Sequence, residues 1–572
     1  MNPGNPLIVQ SDRTILLEVD HPQYDEARDA VAQFAELEKS PEHIHTYRLS
    51  PLSLWNAAAG GLSAQTILEL LACYSKYEIP SNIAFDIREY TSRYGRIKLI
   101  REGDALLLTS SDAVLITEIM HHKRTQAFLL GQLNNHTIQV NASRRGHIKQ
   151  ALIHIGFPAE DLAGYTNGSP LPMKLRTVTA EGNLFEPRAY QYSASAAFYA
   201  GGAPSGGSGV IVLPCGAGKT VVGLVTMADI QRATLILSPN TIAVRQWIQE
   251  IIDKTDVPPE MIGEYTGDRK EICPITVSTY QILTYRRHGT GEQADGKGQD
   301  SEEEDFPHFA LFTSYDWGLI IYDEVHLLPA PVFRITAEIQ ARRRLGLTAT
   351  LVREDGRETD VFSLIGPKKY DVPWRELERQ GWIATAECHE IRVGMTEDEQ
   401  LHYATVDERE KYRIASESLE KFKVARFLAE RHRDDQVLII GQYIDQLKVL
   451  AEVLAAPFLT GRTPNKQREK LYEQFRRGEI KRLIVSKVAN FAVDLPEANV
   501  AIQVSGTFGS RQEEAQRLGR ILRPKHDGGL AYFYSIVTRD TRDQEFSANR
   551  QLFLTEQGYR YVIEDAEEMQ AS

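Results

Sequence analysis

Short apolar runs that alternate with amphipathic stretches divide the C-terminal two thirds of the chain into two similar halves. The first half, about 179–372, contains GVIVLP (209–214), ATLILSP (233–239), ITVSTY (275–280) and WGLIIYDE (317–324). The second half, 373–572, contains QVLIIG (436–441), RLIVSK (482–487), VAIQVSG (500–506) and GLAYFYSIV (529–537). Apolar strands separated by helices are typical of parallel sheets buried on both faces. The pattern therefore predicts an α/β protein with two tandem parallel-sheet domains.

The first 178 residues have a different pattern, in which helical stretches come first and strands follow. Helical spacing runs over 25–39, 52–59, 63–77 and 82–95, and IKLIREGDALLLTSS (97–111) has the character of strands. Several helices followed by a β-hairpin resemble a winged-helix module, which binds DNA or a partner protein. We predict a mixed α+β accessory region here, and plain structural packing is the alternative reading of the same pattern.

Composition narrows the class of protein. A chain of 572 residues is long enough for about three to four domains. Its formal net charge of -13 argues against a protein that coats nucleic acid by bulk charge, although a local basic groove remains compatible. The four cysteines lack metal-site spacing, and the start of the chain lacks a secretory pattern. We expect a cytoplasmic protein, with a disordered acidic surface insertion at 286–307 that has no catalytic role.

The run LPCGAGKT follows a predicted strand and precedes a predicted helix. Glycines at 216 and 218 let successive backbone N–H groups face a phosphate, Lys219 adds positive charge, and the Thr220 hydroxyl can ligate Mg²⁺. A Gly-rich turn without a ligand is the alternative, which Gly-Lys-Thr in this position makes the weaker one. The predicted nucleotide phosphate site consists of Pro214, Cys215, Gly216, Ala217, Gly218, Lys219 and Thr220.

Two adjacent acids end the apolar strand LIIYDE. Asp323 is placed to hold Mg²⁺, and Glu324 to orient or deprotonate an attacking water. His326 can couple this site to the other domain. An Asp-Glu pair at a strand end is often only a solvated loop, but its pairing with the Gly-Lys-Thr loop favours catalysis.

A predicted helix in the second half carries polar residues on one face. Gln516, Arg520 and Arg523 are separated by four and three residues. A surface helix can carry such residues without function. However, a nucleotide site in one domain needs charge neutralisation in the transition state, which arginines from a second domain can supply.

GAGKT, DEVH, LTAT and QRLGRILR, in this order, resemble the motifs of superfamily 2 helicases. The run RED directly after LTATLV, with DLPEA (494–498) and GSRQEEAQRLGRILR (509–523), narrows the resemblance to the XPB family in its bacterial form. This resemblance covers about residue 185 to the end. It implies two RecA-like domains, the cofactors ATP and Mg²⁺, and 3′→5′ DNA unwinding in DNA repair, with a nuclease partner in some members.

The resemblance also implies roles for smaller motifs. Arg188 and Gln191 in EPRAYQ match the adenine-recognition motif, and a helical thumb that grips duplex DNA is expected at about 396–432. Asp494 matches a motif that touches ATP and nucleic acid, although Ala489-Asn490 stand where eukaryotic members have Gly-Asp. The residues expected to contact nucleic acid, or to couple it to the ATP site, are Arg245, Thr279, His326, Thr348, Thr350, Arg353, Glu354 and Asp355.

We therefore interpret the chain as an ATP-dependent 3′→5′ DNA helicase and translocase that grips single-stranded and duplex DNA without strong sequence preference. Two alternatives remain open from the sequence. One is an RNA-dependent ATPase of the same superfamily, because contacts to the RNA 2′-hydroxyl cannot be read from these motifs. The other is a nucleotide-controlled clamp that holds DNA and recruits a nuclease. The sequence does not predict an oligomeric state.

Overall fold

The computed structural model describes residues 2–40, 43–214, 216–285, 306–340, 342–349, 358–372, 374–382, 384–486, 498–506, 530–556 and 559–571. The strands in these ranges are β1 (Leu7–Val9), β2 (Thr14–Glu18), β3 (Glu36–Lys39), β4 (Ile44–Arg48), β5 (Ile97–Glu102), β6 (Ala105–Thr109), β7 (Leu129–Asn134), β8 (Thr137–Val140), β9 (Ala159–Asp161), β10 (Ser208–Val212), β11 (Thr234–Ser238), β12 (Ile262–Tyr265), β13 (Ile275–Thr279), β14 (Leu319–Asp323), β15 (Arg343–Thr348), β16 (Lys368–Asp371), β17 (Ala386–Val393), β18 (Val437–Gly441), β19 (Phe458–Leu459), β20 (Arg482–Ser486), β21 (Val500–Gln503), β22 (Ala531–Thr538) and β23 (Tyr561–Asp565).

The helices in the same ranges are α1 (Tyr24–Val31), α2 (Pro51–Ala59), α3 (Ala64–Tyr74), α4 (Ser81–Arg93), α5 (Ala113–His121), α6 (Arg145–His154), α7 (Ala189–Tyr199), α8 (Lys219–Ile230), α9 (Thr241–Lys254), α10 (Tyr280–Leu283), α11 (Ala330–Glu338), α12 (Glu358–Leu364), α13 (Trp374–Arg379), α14 (Glu397–Thr405), α15 (Glu408–Ser416), α16 (Leu419–Arg431), α17 (Ile444–Val453), α18 (Asn465–Arg476), α19 (Arg542–Glu556) and α20 (Ala566–Ala571). None of them is long and apolar enough to cross a membrane.

Two seven-stranded sheets with entirely parallel pairing form the C-terminal two thirds of the described chain. We call the first half of this region, about 179–372, lobe 1, and the second half, 373–572, lobe 2. The sheet of lobe 1 has the order β12-β13-β11-β14-β15-β10-β16, and the sheet of lobe 2 has the order β19-β20-β18-β21-β22-β17-β23. Every pair of neighbouring strands within these two sheets is parallel. The eight strands predicted from apolar runs are all present, so the predicted α/β architecture with two tandem RecA-like sheets is confirmed.

Both faces of the lobe 1 sheet are buried, as its continuous apolar strands require. Ile211 and Ile321 belong to the core on one face, whereas their neighbours Val210 and Ile320 belong to the core on the other. Alternate residues of a strand point to opposite faces, so a strand covered on both sides must be apolar throughout. Because all these strands run in the same direction, their carboxyl ends meet at one edge, where β14 pairs Asp323 with Leu347 of β15.

One helix that the sequence predicted in the accessory region is wrong. The spacing over 25–39 predicted a single helix, but α1 ends at Val31 and β3 begins at Glu36. β3 is one edge of the antiparallel sheet β1-β2-β4-β3, and in β3 only Leu37 is buried. Backbone pairing with β4 therefore overrides a local sequence, ELEK, whose residues favour a helix.

The remaining predicted helices of the accessory region and the hairpin after them are confirmed. α2, α3 and α4 precede the antiparallel hairpin β5–β6, which is the order of a winged-helix module. The hairpin is not isolated, however, because it forms the centre of a five-stranded sheet with the order β7-β8-β6-β5-β9. Its proposed role in binding DNA or a partner stays a prediction.

The accessory region docks closely on lobe 1 through α6. A Cβ atom added to Gly146 would lie 2.3 Å from the carbonyl oxygen of Ala337, so the two backbones are in contact. Beside this contact, Asp161 accepts an ion pair from Arg145 at 2.6 Å and from Lys149 at 3.1 Å. These three charged groups are almost entirely buried, and buried charges of this kind persist only when they are paired.

The structure refines the bounds of two other predicted segments, the surface insertion and the thumb. Of the predicted insertion 286–307, only Phe306 and Pro307 lie inside the described residues, and Phe306 is buried and stacked on Phe309 with ring centroids 4.8 Å apart. The predicted surface insertion therefore ends before Phe306. The predicted thumb at 396–432 is helical, but α16 packs Val424 and Leu428 into the core of lobe 2. Among the described residues of this segment, those of α14 are all at least partly exposed, although Glu399 bonds to Ser418 and Leu419.

Candidate active site

The phosphate loop connects β10 to α8 in lobe 1. Gly216 and Gly218 have φ angles of 82° and 79°, in the left-handed region that glycine adopts without strain. Gly218 is the residue that precedes α8. The backbone N–H groups of the first turn of α8 have no carbonyl partner within the helix, so they are directed toward the space that the loop encloses. This geometry is the one that the predicted phosphate site requires, and its role in binding phosphate stays a prediction. Cys215 lies outside the described residues.

Lys219 and Glu324 form an ion pair between the phosphate loop and the end of β14. The two side chains are only 12% and 16% exposed. Burial opposes ionisation of the Glu324 carboxyl, but the Lys219 ammonium and then His326 outweigh it, so the pKa of Glu324 is lowered. Glu324 also has a φ of 48°, an unusual conformation for a residue with a side chain and one that is common in active sites.

Asp323 is held by donors that come from three other elements. Trp247 in α9 donates its indole N–H to Oδ2 over 3.0 Å, and Ser238 at the end of β11 donates to the same oxygen over 3.3 Å. The hydroxyl of Tyr280 donates to the Asp323 carbonyl over 2.9 Å. Burial, reinforced by the adjacent Glu324 carboxylate, raises the pKa of Asp323 to about 6. A second cation close to this carboxylate, in addition to Lys219, would stabilise its ionised form.

Sequence reasoning missed Trp247 and Ser238, which bond this carboxylate, and Tyr280, which bonds the backbone carbonyl of Asp323. Trp247 is fully enclosed, and a Cβ atom added to Gly223 of α8 would lie 2.5 Å from its ring. The available signal was that SPN ends β11 and that RQW lies in α9, the helix that follows it, near the carboxyl edge of the sheet. That motif was interpreted only as a contact to nucleic acid.

His326 connects the carboxylate pair to β15. Its Nδ1 atom lies 2.7 Å from the Thr348 hydroxyl and 3.5 Å from Oε2 of Glu324. Both His326 and Thr348 are buried. A change at Glu324 can therefore reach the chain segment that follows β15 through two side chains.

The predicted adenine-recognition residues lie against the phosphate loop. Gln191 accepts a hydrogen bond from the Arg188 backbone N–H over 2.8 Å and donates to the Ala217 carbonyl over 3.0 Å. The hydroxyl of Tyr190 donates to the same carbonyl over 2.5 Å. Sequence reasoning did not select Tyr190. These bonds orient Gln191 and tie the adenine motif directly to the loop that holds phosphates.

The residues expected to contact nucleic acid in lobe 1 have different surroundings. Arg245 is 62% exposed on α9, where it approaches Asp268 at 3.5 Å. Thr279 is buried, and its hydroxyl accepts the Ile282 backbone N–H at the start of α10. This geometry favours a capping role for Thr279, whereas Arg245 is accessible to a phosphate.

Several predicted site residues fall where the chain is not described, so their roles stay predictions. They are Cys215, Thr350, Arg353, Glu354, Asp355, Asp494, Gln516, Arg520 and Arg523. The described part of the site thus contains the phosphate loop, the two carboxylates, His326, Thr348 and the adenine motif.

Three family models match the chain. They are described as ERCC3/RAD25/XPB C-terminal helicase over residues 377–572, Type III restriction enzyme, res subunit over 184–353, and Helicase conserved C-terminal domain over 7–134. The last match lies in the accessory region, for which the sequence had offered no chemical motif.

Full-length relatives give the same result. The chain is 53% identical to the DNA 3′-5′ helicase XPB of Mycobacterium tuberculosis, with 99% of this chain and 98% of that protein covered. It is 52% identical to the protein of the same name from Kineococcus radiotolerans, with 99% and 97% covered. It is 30% identical to the general transcription and DNA repair factor IIH helicase/translocase subunit XPB of Schizosaccharomyces pombe, with 96% and 75% covered. The chain belongs to the XPB family of superfamily 2 helicases, in its bacterial form.

Proposed function

We propose that this protein is an ATP-dependent 3′→5′ DNA helicase and translocase that acts in DNA repair. The observation that carries the proposal is the cluster of Lys219, Asp323 and Glu324 at the carboxyl edge of a RecA-like sheet, in a chain half identical to proteins named DNA 3′-5′ helicase. The names of eukaryotic relatives, which include DNA repair, support the biological role.

The Lys219–Glu324 ion pair gives the first step of the proposed cycle. Lys219 is neutralised by Glu324 before nucleotide binds, and the β- and γ-phosphates of ATP compete for the same ammonium group. When phosphates take Lys219, Glu324 loses its partner and becomes available to orient the attacking water. Nucleotide binding therefore activates the catalytic carboxylate through the loss of an existing ion pair.

Mg²⁺ fits the residues present. Thr220, in the first turn of α8, and the buried Asp323 carboxylate supply oxygen donors, which this ion prefers. Within the described ranges, no group of three or more His, Cys, Asp and Glu residues could hold a metal without other ligands. Phosphate oxygens and water are accordingly expected to complete the coordination, and the ion would neutralise charge on the phosphates.

Lobe 2 completes the site in this proposal. Gln516, Arg520 and Arg523, assigned from the family resemblance, would reach the γ-phosphate when the lobes close. The link from Glu324 through His326 to Thr348 then passes the state of the nucleotide to the segment with Arg353, Glu354 and Asp355, which the family resemblance ties to the opening of duplex DNA. A nuclease partner, also taken from the resemblance, would cut the opened DNA.

Matched nucleic acids test the proposal. ATP hydrolysis should be stimulated by single-stranded DNA far more than by RNA of the same sequence, and a 3′-tailed duplex should be unwound while a 5′-tailed duplex is not. Glu324→Gln is the negative control, because it keeps the shape of the site without a base. Stimulation by RNA alone would favour the RNA-dependent ATPase. Hydrolysis without unwinding of either duplex would favour the clamp.

A further inference from the structure

A tryptophan in the segment between the lobes faces the adenine motif. Trp382 lies between α13 and β17, and its side chain is 37% exposed. The guanidinium carbon of Arg188 lies 4.5 Å from the centre of its ring, within the range of a cation–π contact. The indole N–H donates to Oε1 of Gln380 over 3.0 Å, which fixes the orientation of the ring.

This stacked pair is connected to the phosphate loop. Arg188 donates from Nη1 to the hydroxyl of Tyr190 over 3.1 Å, and that hydroxyl donates to the carbonyl of Ala217. Two hydrogen bonds therefore link the Arg188 guanidinium, which is stacked on Trp382, to the predicted phosphate loop. Gln191, which donates to the same carbonyl, lies beside it. The base of an ATP molecule whose phosphates lie in this loop is therefore expected to lie close to the Arg188–Trp382 pair.

We propose that Trp382 forms one wall of the adenine site, and that the Arg188–Trp382 contact is the closed form of a slot that the base of ATP opens. Purine rings stack on aromatic side chains and on guanidinium groups. Both kinds of surface are present here, and both side chains belong to partly exposed residues. The proposal rests on ATP as the nucleotide of this site and goes beyond it, because it assigns base recognition to a residue outside the adenine motif.

The position of Trp382 gives base stacking a mechanical consequence. An aromatic base needs about 3.4–3.6 Å on each side, so a base between two groups 4.5 Å apart must move one of them by roughly 2–3 Å. Arg188 is held at the start of α7 by Gln191 and Tyr190, whereas Trp382 lies in the segment that leads to β17. Adenine binding in the slot therefore separates the Arg188 guanidinium from the Trp382 ring, which the segment between the lobes carries.

The test separates the base from the phosphates. Trp382→Ala should raise the KM for ATP about tenfold, which corresponds to ~1.4 kcal/mol, with kcat within about twofold of the parent. Inhibition of the same ATPase reaction by inorganic tripolyphosphate should be unchanged, because tripolyphosphate has no base. Trp382→Phe keeps a flat ring and should restore most of the lost affinity. Phe85→Ala, which removes an exposed aromatic ring of the accessory region, is the matched control and should leave the KM unchanged.

Fluorescence gives a readout that a purely structural role does not move. ATP should quench tryptophan emission of the parent protein more than tripolyphosphate does, and Trp382→Phe should abolish this difference. Equal weakening of ATP and tripolyphosphate in Trp382→Ala, or an unchanged KM, would overturn the proposal. If Trp382→Ala does not fold, the quenching difference in Trp382→Phe decides alone. A parent protein without ATP hydrolysis would instead contradict the proposed function itself.

Discussion

The ion pair between Lys219 and Glu324 makes the stability of the nucleotide-free protein depend on its catalytic lysine. Lys219→Ala leaves the Glu324 carboxylate largely buried without its main cation. Removal of one partner from a buried pair costs ~3–5 kcal/mol, and we expect ~2–4 kcal/mol here because the side chains retain 12% and 16% exposure to water. The variant should therefore lose ATP turnover and also unfold more easily than the parent.

Urea unfolding without nucleotide, followed by tryptophan fluorescence, measures this cost. Trp247 and Trp317 are buried in lobe 1, so their emission reports on the lobe that contains the ion pair. The double variant Lys219→Ala with Glu324→Gln removes both charges and should recover most of the stability that Lys219→Ala alone loses. It should remain inactive. The double-mutant cycle should give a coupling energy of ~2–4 kcal/mol.

An exposed ion pair provides the control for these variants. Arg426 and Glu430 in α16 are 62% and 60% exposed, so Arg426→Ala should cost only ~0.3–0.5 kcal/mol. If Lys219→Ala unfolds at the same urea concentration as the parent, the ion pair does not stabilise the nucleotide-free state. The idea that ATP frees Glu324 by competition for Lys219 would then be refuted, even if turnover is lost.

Three further predictions concern other contacts. Trp247→Phe removes the N–H that holds Asp323, so the Mg²⁺ concentration for half-maximal ATPase activity should rise about tenfold, for the loss of ~1.5 kcal/mol; an unchanged Mg²⁺ requirement would contradict this. His326→Ala removes the link to Thr348 and should reduce unwinding several-fold more than ATP hydrolysis, whereas equal losses would argue against coupling. The buried His45, whose pKa is lowered to about 4, chiefly by burial, should withdraw ~3 kcal/mol of stability as pH falls from about 6.5 to 4, since the unfolded imidazole takes the proton first. His45→Gln should flatten that part of the pH dependence of urea unfolding.

The features that could be predicted from the sequence are those that short segments encode. A strand buried on both faces must be apolar at every position, so GVIVLP and LIIYDE identify β10 and β14 without any knowledge of their neighbours. The phosphate loop and the two acids follow these strands directly. Since parallel strands end at one edge, the approach of Lys219 to Glu324 also follows from the sequence once the fold class is right.

The features that could not be predicted depend on residues far apart in the chain. Trp247 and Asp323 are separated by 76 positions, and no periodicity or local motif indicates that an indole N–H will meet that carboxylate. Arg188 and Trp382 are separated even further, across the whole of lobe 1. The end of α1 was missed for the same reason, because the pairing of β3 with β4 outweighs the helical preference of ELEK.

The accessory region shows how such distant contacts differ in kind. Its α6 touches lobe 1 backbone to backbone at Gly146, where any larger residue would force the helices apart. Its contacts with lobe 2 include two made by side chains: Leu552 of α19 joins the core around α1, and Arg560 lies 4.5 Å over the ring of Tyr24. A close backbone contact beside buried ion pairs cannot slide, whereas an aliphatic side chain and a cation–π contact can separate and form again at small cost. Relative motion of the two lobes is therefore expected to disturb the contacts of Leu552 and Arg560 before it disturbs the backbone contact at Gly146.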